Sequence, residues 1–150
     1  MLMDKYGRQT LYNYWQSKST NSIFRKNTNW GAITAHDTGI YMQELYDYYS
    51  TNTSLSNELI NYFKTTNFKI IKDVNGNTNT ANKGGWSGSV YHDVAIVFDK
   101  NPYILAILTN SGRSRSHEII DDTSHLIGII HQDYWKEKYS LCETIINSTS

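Results

Sequence analysis

The chain has 150 residues, enough for one domain with a single sizeable core and too few for two. Fourteen basic and fourteen acidic residues cancel, which excludes a net field drawing it to nucleic acid or an anionic membrane. Twelve tyrosines and four tryptophans argue against a disordered chain, and the lone Cys142 excludes an internal disulfide or a cysteine zinc site.

Met1-Leu2-Met3 runs straight into Asp4-Lys5, so the start carries no basic stretch, apolar block or cleavage site of a signal peptide. No apolar run reaches the length of a membrane span. Leu11, Tyr12 and Trp15 predict a short helix after Gly7. Ser17 to Gly31 is rich in Asn, Ser and Thr and reads as a long loop. Thr34 is placed to cap a helix, with Asp37 in the capping-box position and Tyr41, Leu45, Tyr48 and Tyr49 at helical spacing. A second helix is expected from about Ser54, with Leu55, Leu59, Tyr62 and Phe63 on its inner face. Phe68 to Ile71 is apolar but short, and Val74 to Asn82, with its asparagines and a glycine, reads as an exposed turn.

Val94 to Phe98 and Tyr103 to Leu108 are continuous apolar runs, the pattern of strands covered on both faces. Asp99 to Pro102 is a hairpin connection, which makes the two strands antiparallel neighbours. Lys83 to Tyr91 is expected as a third strand whose glycines allow close backbone approach. Ser116 is expected to cap a long helix with Ile119, Thr123, Leu126, Ile127, Ile130 and Tyr134 on one stripe. From about residue 139 to 150 the chain reads as a tail. Without repeats or a linker, residues 1–150 form one α+β unit: helices, an antiparallel sheet, then a covering helix.

Lys83-Gly84-Gly85-Trp86 raises the question of an anion site. A phosphate cradle runs from a strand through glycines into a helix, whereas these glycines lead into a strand. The remaining readings are a solvated structural turn and a ligand-binding turn. Several blocks stand around it in order: Trp30-Gly31-Ala32-Ile33-Thr34 before the first long helix, His92-Asp93-Val94-Ala95-Ile96-Val97, then Pro102-Tyr103-Ile104-Leu105 and a long closing helix. Together these blocks resemble the C-terminal part of the class A serine β-lactamases and their penicillin-binding relatives, over nearly the whole chain. That family has a Lys-Thr/Ser-Gly triplet on the strand beside its active site. The resemblance implies a β-lactamase/transpeptidase-like fold that here lacks the N-terminal strands and the nucleophile helix.

The same resemblance gives Lys83, Gly84 and Gly85 a substrate-binding role, with Lys83 as the charge attracting a carboxylate. Gly84 replaces the Thr or Ser whose hydroxyl holds that carboxylate. The backbone N–H of Trp86 takes the place of an oxyanion donor. No Ser-x-x-Lys nucleophile motif and no Ser-Asp-Asn occurs in the 150 residues, and no Glu lies between Gly7 and Thr34, where the family's Ω-loop would carry one. Ser19-Thr20-Asn21 matches only the looser Ser-x-Asn form.

The five histidines show no metal-ligand spacing, and His125 and His131 fall on different helix faces. His92-Asp93 reads as half of a hydrolytic triad or as a local hydrogen bond where a strand begins. Ser111 to Arg115 reads as a solvated turn. The expectation is therefore the C-terminal portion of a serine hydrolase that opens β-lactams or acts on peptidoglycan peptides through an acyl-serine, inactive alone. The alternatives are a non-catalytic binding module retaining the fold and part of a penicillin-binding D,D-peptidase. No metal or organic cofactor is implied. The family's usual location implies the cell envelope or exterior for a complete protein. The strand Tyr103 to Thr109, deprived of its neighbour, is expected to be an edge that pairs with a missing N-terminal segment or a second copy.

Overall fold

A computed structural model describes residues 7–18, 32–76 and 79–148. In chain order these are α1 (Arg8–Lys18), α2 (Ala35–Ser50), α3 (Ser54–Lys64), β1 (Thr80–Ser87), β2 (Val90–Val97), β3 (Tyr103–Thr109) and α4 (Arg113–Ser148). The strands form one antiparallel sheet in the order β1-β2-β3. The expected long loop lies mostly on residues 19–31, outside the described residues, as does Ser19-Thr20-Asn21.

The register explains why β2 and β3 carry continuous apolar runs. Ala95 pairs with Leu105 and Ile96 with Ile104, so adjacent residues point to opposite faces and both faces are covered. On one face Ala95, Val97 and Leu105 pack with Ile70, Ile71 and Ile120. On the other, Ala81, Val94 and Ile96 pack with Met42 of α2 and Ile60 of α3. The sheet is thus the middle layer, between α2–α3 and α4.

Both forward helix caps form as the residue types require. Thr34 Oγ1 accepts from the Asp37 N–H at 3.1 Å. Thr53 and Ser56 make a reciprocal capping box before α3, with bonds of 3.1 and 3.0 Å. The inner face of α3 differs from expectation. Leu55 and Tyr62 are exposed, and Ser56 and Ile60 are buried with Phe63 packed beside them. Two stripes fit the 3.6 period there, and the box with Ser56 turned inward selects the second.

Three boundaries also move. The segment expected as an exposed turn up to Asn82 ends in strand, with Thr80, Ala81 and Asn82 buried in β1. Lys83 to Tyr91 is not one strand, because Gly88 (φ 59°) and Ser89 form a two-residue hairpin turn and β2 begins at Val90. The closing helix starts at Arg113, not Ser116, and continues to Ser148 where a tail was expected. No glycine or proline interrupts it after Gly128.

The stripe of α4 that meets the sheet is Ser116, Ile120, Ser124, Ile127 and Gly128, while Leu126, Ile130 and Tyr134 are exposed. Small residues let the helix approach closely: a Cβ on Gly128 would lie 3.1 Å from Val74 Cβ. A hydrophobicity count treats serine and glycine as polar and so selects the neighbouring stripe. Among the described residues no helix is long and apolar enough to cross a membrane.

Candidate functional site

Lys83–Trp86, read from the sequence as a turn, is extended strand in the second half of β1, an outer strand among the described residues, and the turn itself is Gly88–Ser89. The two-residue turn makes Ser87 and Val90 the closing hydrogen-bonded pair. Antiparallel alternation then turns the backbone N–H of Gly84 and of Trp86 away from β2, toward the open edge. The Trp86 N–H therefore has the orientation that an edge donor to a ligand needs.

The side chains separate by face. Lys83 is exposed, and its Nζ donates to its neighbour's carbonyl, Gly84 O. Gly84 faces the opposite way, and there it meets Phe68. A Cβ at this position would sit 1.8 Å from Phe68 Cδ1 and 2.3 Å from Cε1. Only glycine fits beneath the ring. Phe68 stacks on Trp86 at 4.9 Å between centroids and meets His117 of α4 edge-on at 5.9 Å. Trp86 remains 61% exposed, so one indole face is anchored and the other is open. A Cβ on Gly85 would meet open space, so packing does not require glycine there.

Gly85, Trp86 and Ser87 border an open groove of about 670 Å³ whose other wall includes Ile33, His92 and Leu108. His92 Nδ1 accepts from the Thr109 N–H at 3.1 Å, which places the proton of the neutral ring on Nε2. In that tautomer both ring nitrogens are taken, Nδ1 by the Thr109 N–H and Nε2 by its own proton, so His92 does not serve as a base. Asp93, one residue on, projects to the other face of the sheet. His92 and Asp93 therefore cannot act together as part of a triad. The bond His92 makes is a cross-strand one rather than the local bond expected at a strand start.

Asp93 has a different task. It is fully buried, and its Oδ2 accepts from the Ile70 N–H at 2.8 Å, the Ile71 N–H at 2.9 Å and Asn82 Nδ2 at 2.9 Å. Asn82 Nδ2 also donates to Ile71 O at 3.1 Å. These bonds satisfy the backbone of a buried segment that has no regular secondary structure. They also fix the chain that carries Phe68. Burial pushes the Asp93 carboxyl above its usual range, against the opposing pull of the three donors and the Val94 N–H. Asp93 Oδ1 and Asn82 Oδ1 are buried without a hydrogen-bond partner among the described residues. Beside them Lys69 Nζ donates to Thr80 O at 2.8 Å, and desolvation lowers the Lys69 pKa.

Sequence reasoning did not assign this hub. The available signal was an acid directly before the apolar run Val94 to Phe98, with an asparagine at the matching place on the preceding strand. The arginines of the expected turn at Ser111–Arg115 instead lie in the first turn of α4, where Arg115 pairs with Glu118 at 2.9 Å. Among the described residues no group of three or more His, Cys, Asp and Glu side chains is placed to hold a metal.

Residues 1–135, from the N-terminus through Trp135 in α4, match the model of the Beta-lactamase enzyme family. The chain belongs to the β-lactamase enzyme family. No curated protein and no solved structure matches it. Family membership makes this a β-lactamase-like serine hydrolase at family level, with the α+β arrangement described above.

Proposed function

We propose that the chain is the C-terminal part of a class A-like β-lactamase or a related penicillin-binding peptidase, and that alone it binds without turning over. Lys83, Gly84 and Gly85 form the ligand-facing strand, and the Trp86 N–H is the oxyanion donor. The observation that carries this reading is that N–H, turned to the outer edge of β1 on a residue that also borders a groove of about 670 Å³. An oxyanion donor stabilises charge only after a nucleophile has attacked, and the 150 residues hold no Ser-x-x-Lys. The β-lactam or acyl-peptide class of ligand follows from the family.

The isolated chain should neither hydrolyse nitrocefin nor be labelled by a fluorescent penicillin. A covalent penicillin adduct seen by mass spectrometry would overturn the proposal, and its site would identify the nucleophile.

The free side of β3 supports a second element of the proposal. In the three-stranded sheet β3 is an outer strand beside β2, and Tyr103 to Thr109 carries no lysine or proline to discourage pairing. The Lys72–Asp121 ion pair at 3.6 Å and the Gly128–Val74 contact place residues 72–74 along one flank of α4. The other flank exposes Leu126, Ile130, Tyr134 and Leu141. We infer that a further strand-bearing segment, or failing that a second copy, covers this edge. Size-exclusion chromatography with light scattering at micromolar concentration should show self-association of the isolated chain. A monodisperse monomer with a cooperative melt would favour the self-sufficient binding module instead.

A further inference from the structure

We propose that the Asp93 hub is a latch worked by a proton: Asp93 carries a hydrogen on Oδ1, donates it to Asn82 Oδ1, and on losing it releases segment 68–71 from the sheet. The inference goes beyond the ligand-binding reading and does not rest on it.

The leftover atoms locate the hydrogen. Asp93 Oδ2 takes all three hydrogen bonds of the hub, from the Ile70 N–H, the Ile71 N–H and Asn82 Nδ2. Asp93 Oδ1 is buried without a hydrogen-bond partner among the described residues, and so is Asn82 Oδ1. Both orphans are acceptors, on two planar groups already joined through Asn82 Nδ2 and Asp93 Oδ2. The amide cannot turn over to mend this, because its Nδ2 also donates to Ile71 O at 3.1 Å. A carboxylate would leave both oxygens bare in the interior, at a cost in free energy. One hydrogen on Asp93 Oδ1 satisfies the two together, as the second bond of a reciprocal acid–amide pair.

The surroundings favour the neutral acid. Asp93 is fully buried, and no Lys, Arg or His among the described residues forms an ion pair with it. Opposite it stand Gly84 on β1 and Ile107 on β3, and α4 brings the uncharged Ser116 and Ile120 to this face. Lys69 feels the Asp93 charge, but its ammonium donates to Thr80 O at 2.8 Å. Lys72 pairs with Asp121 and Glu118 with Arg115, along the rim where the segment meets α4. His117 meets the rings of Phe68 and Tyr91. Burial accordingly pushes the carboxyl above its usual range, although the three donors and the Val94 N–H pull the other way.

Release follows from the same two atoms. Loss of the hydrogen leaves a buried charge with no cation paired to it and returns both oxygens to the bare state. Opening the segment brings that charge to water. Residues 68–71 have no strand ladder of their own and hang on Asp93 and Asn82, so they can part while β1, β2 and β3 stay paired. The segment carries Phe68, on which Trp86 stacks, and the latch thus sets how firmly the outer strand is backed.

Two measurements on the full chain test the latch. Carboxyl carbon-13 NMR should find Asp93 neutral at about pH 6, where ordinary aspartates are ionised. Amide hydrogen exchange should show the protection of Ile70 and Ile71, relative to Ala95 in the central strand, falling as pH rises. The fall should be up to about tenfold per pH unit above the ordinary carboxylate range, and should level off once the pH passes the raised folded value. In Asp93→Asn, whose amide donates to Asn82 Oδ1 at every pH, the relative protection should stay level. An Asp93 already ionised at about pH 6 would overturn the proposal. So would a neutral Asp93 with Ile70 and Ile71 protection that does not change with pH relative to Ala95, since the proton would then hold nothing. Both wild-type readings decide the matter even where the variant folds poorly.

Discussion

Asp93→Leu lowers the thermal midpoint by about 10 °C, whereas Asp93→Asn changes it little at neutral pH. Leucine leaves the Ile70 and Ile71 N–H groups and Asn82 Nδ2 buried without their acceptor. Each orphaned donor costs about 1–3 kcal/mol, and the three together, being coupled, about 4 kcal/mol. A chain of this length loses roughly 2–4 °C per kcal/mol. Asparagine keeps one oxygen to accept and carries no charge. The pH dependence separates the two further. Because burial raises the Asp93 pKa, the folded chain holds this proton to higher pH than the unfolded chain does. The stability contributed by the neutral acid is therefore complete below the ordinary carboxylate range and is lost as pH rises through the raised value. Circular-dichroism melts should show that decline in the wild-type chain and its absence in Asp93→Asn. A wild-type midpoint that climbs through the same pH window would mean that the fold prefers the carboxylate, and would refute the assignment.

Gly84→Ala is the second large effect, and a small residue causes it. One methyl group placed 1.8 Å from the Phe68 ring forces the ring off Trp86, costing about 2 kcal/mol, or roughly 5 °C. The cause can be isolated by a cycle. In a Phe68→Ala background, Gly84→Ala should cost almost nothing, because the clash has no second party. If the two substitutions simply add, the ring is not what excludes a side chain at position 84.

How much of this was legible in the sequence depends on the range of the interaction. The paired runs of β2 and β3, the Asp99–Pro102 connection, the cap at Thr34 and the helix start at Ser54 follow local rules of period, turn chemistry and side-chain reach, and are readable; the capping box of Thr53 and Ser56 is an addition of the structure. On the inner face of α3 Phe63 is readable and packs on the core as expected, but Leu55, Leu59 and Tyr62 satisfy the same period as the buried Ser56 and Ile60. The α4 stripe misled for a related reason: Ser116, Ser124 and Gly128 face the sheet for closeness, a property that hydropathy does not record. At the site, the Lys83–Trp86 stretch stood out because glycines cluster there. Phe68 did not, because its contact with Gly84 joins segments 16 positions apart, and no pattern along one segment shows what will lie over another. Asp93 adjoins His92 in sequence and yet has other partners, because strand alternation sends adjacent residues to opposite faces.

The Asp93 hub also constrains the order in which the molecule can assemble. Ile70 and Ile71 precede their acceptor by 23 and 22 residues, with the whole of β1 and its turn between. Until β2 has folded back on β1, the connection between α3 and the sheet has nothing to anchor its amides, and closing that span costs chain entropy in advance. Pairing β1 with β2 first shortens the span that is left to close, so that order costs the least chain entropy. The segment that carries Phe68 then docks on a sheet already formed, at the smallest remaining loop cost.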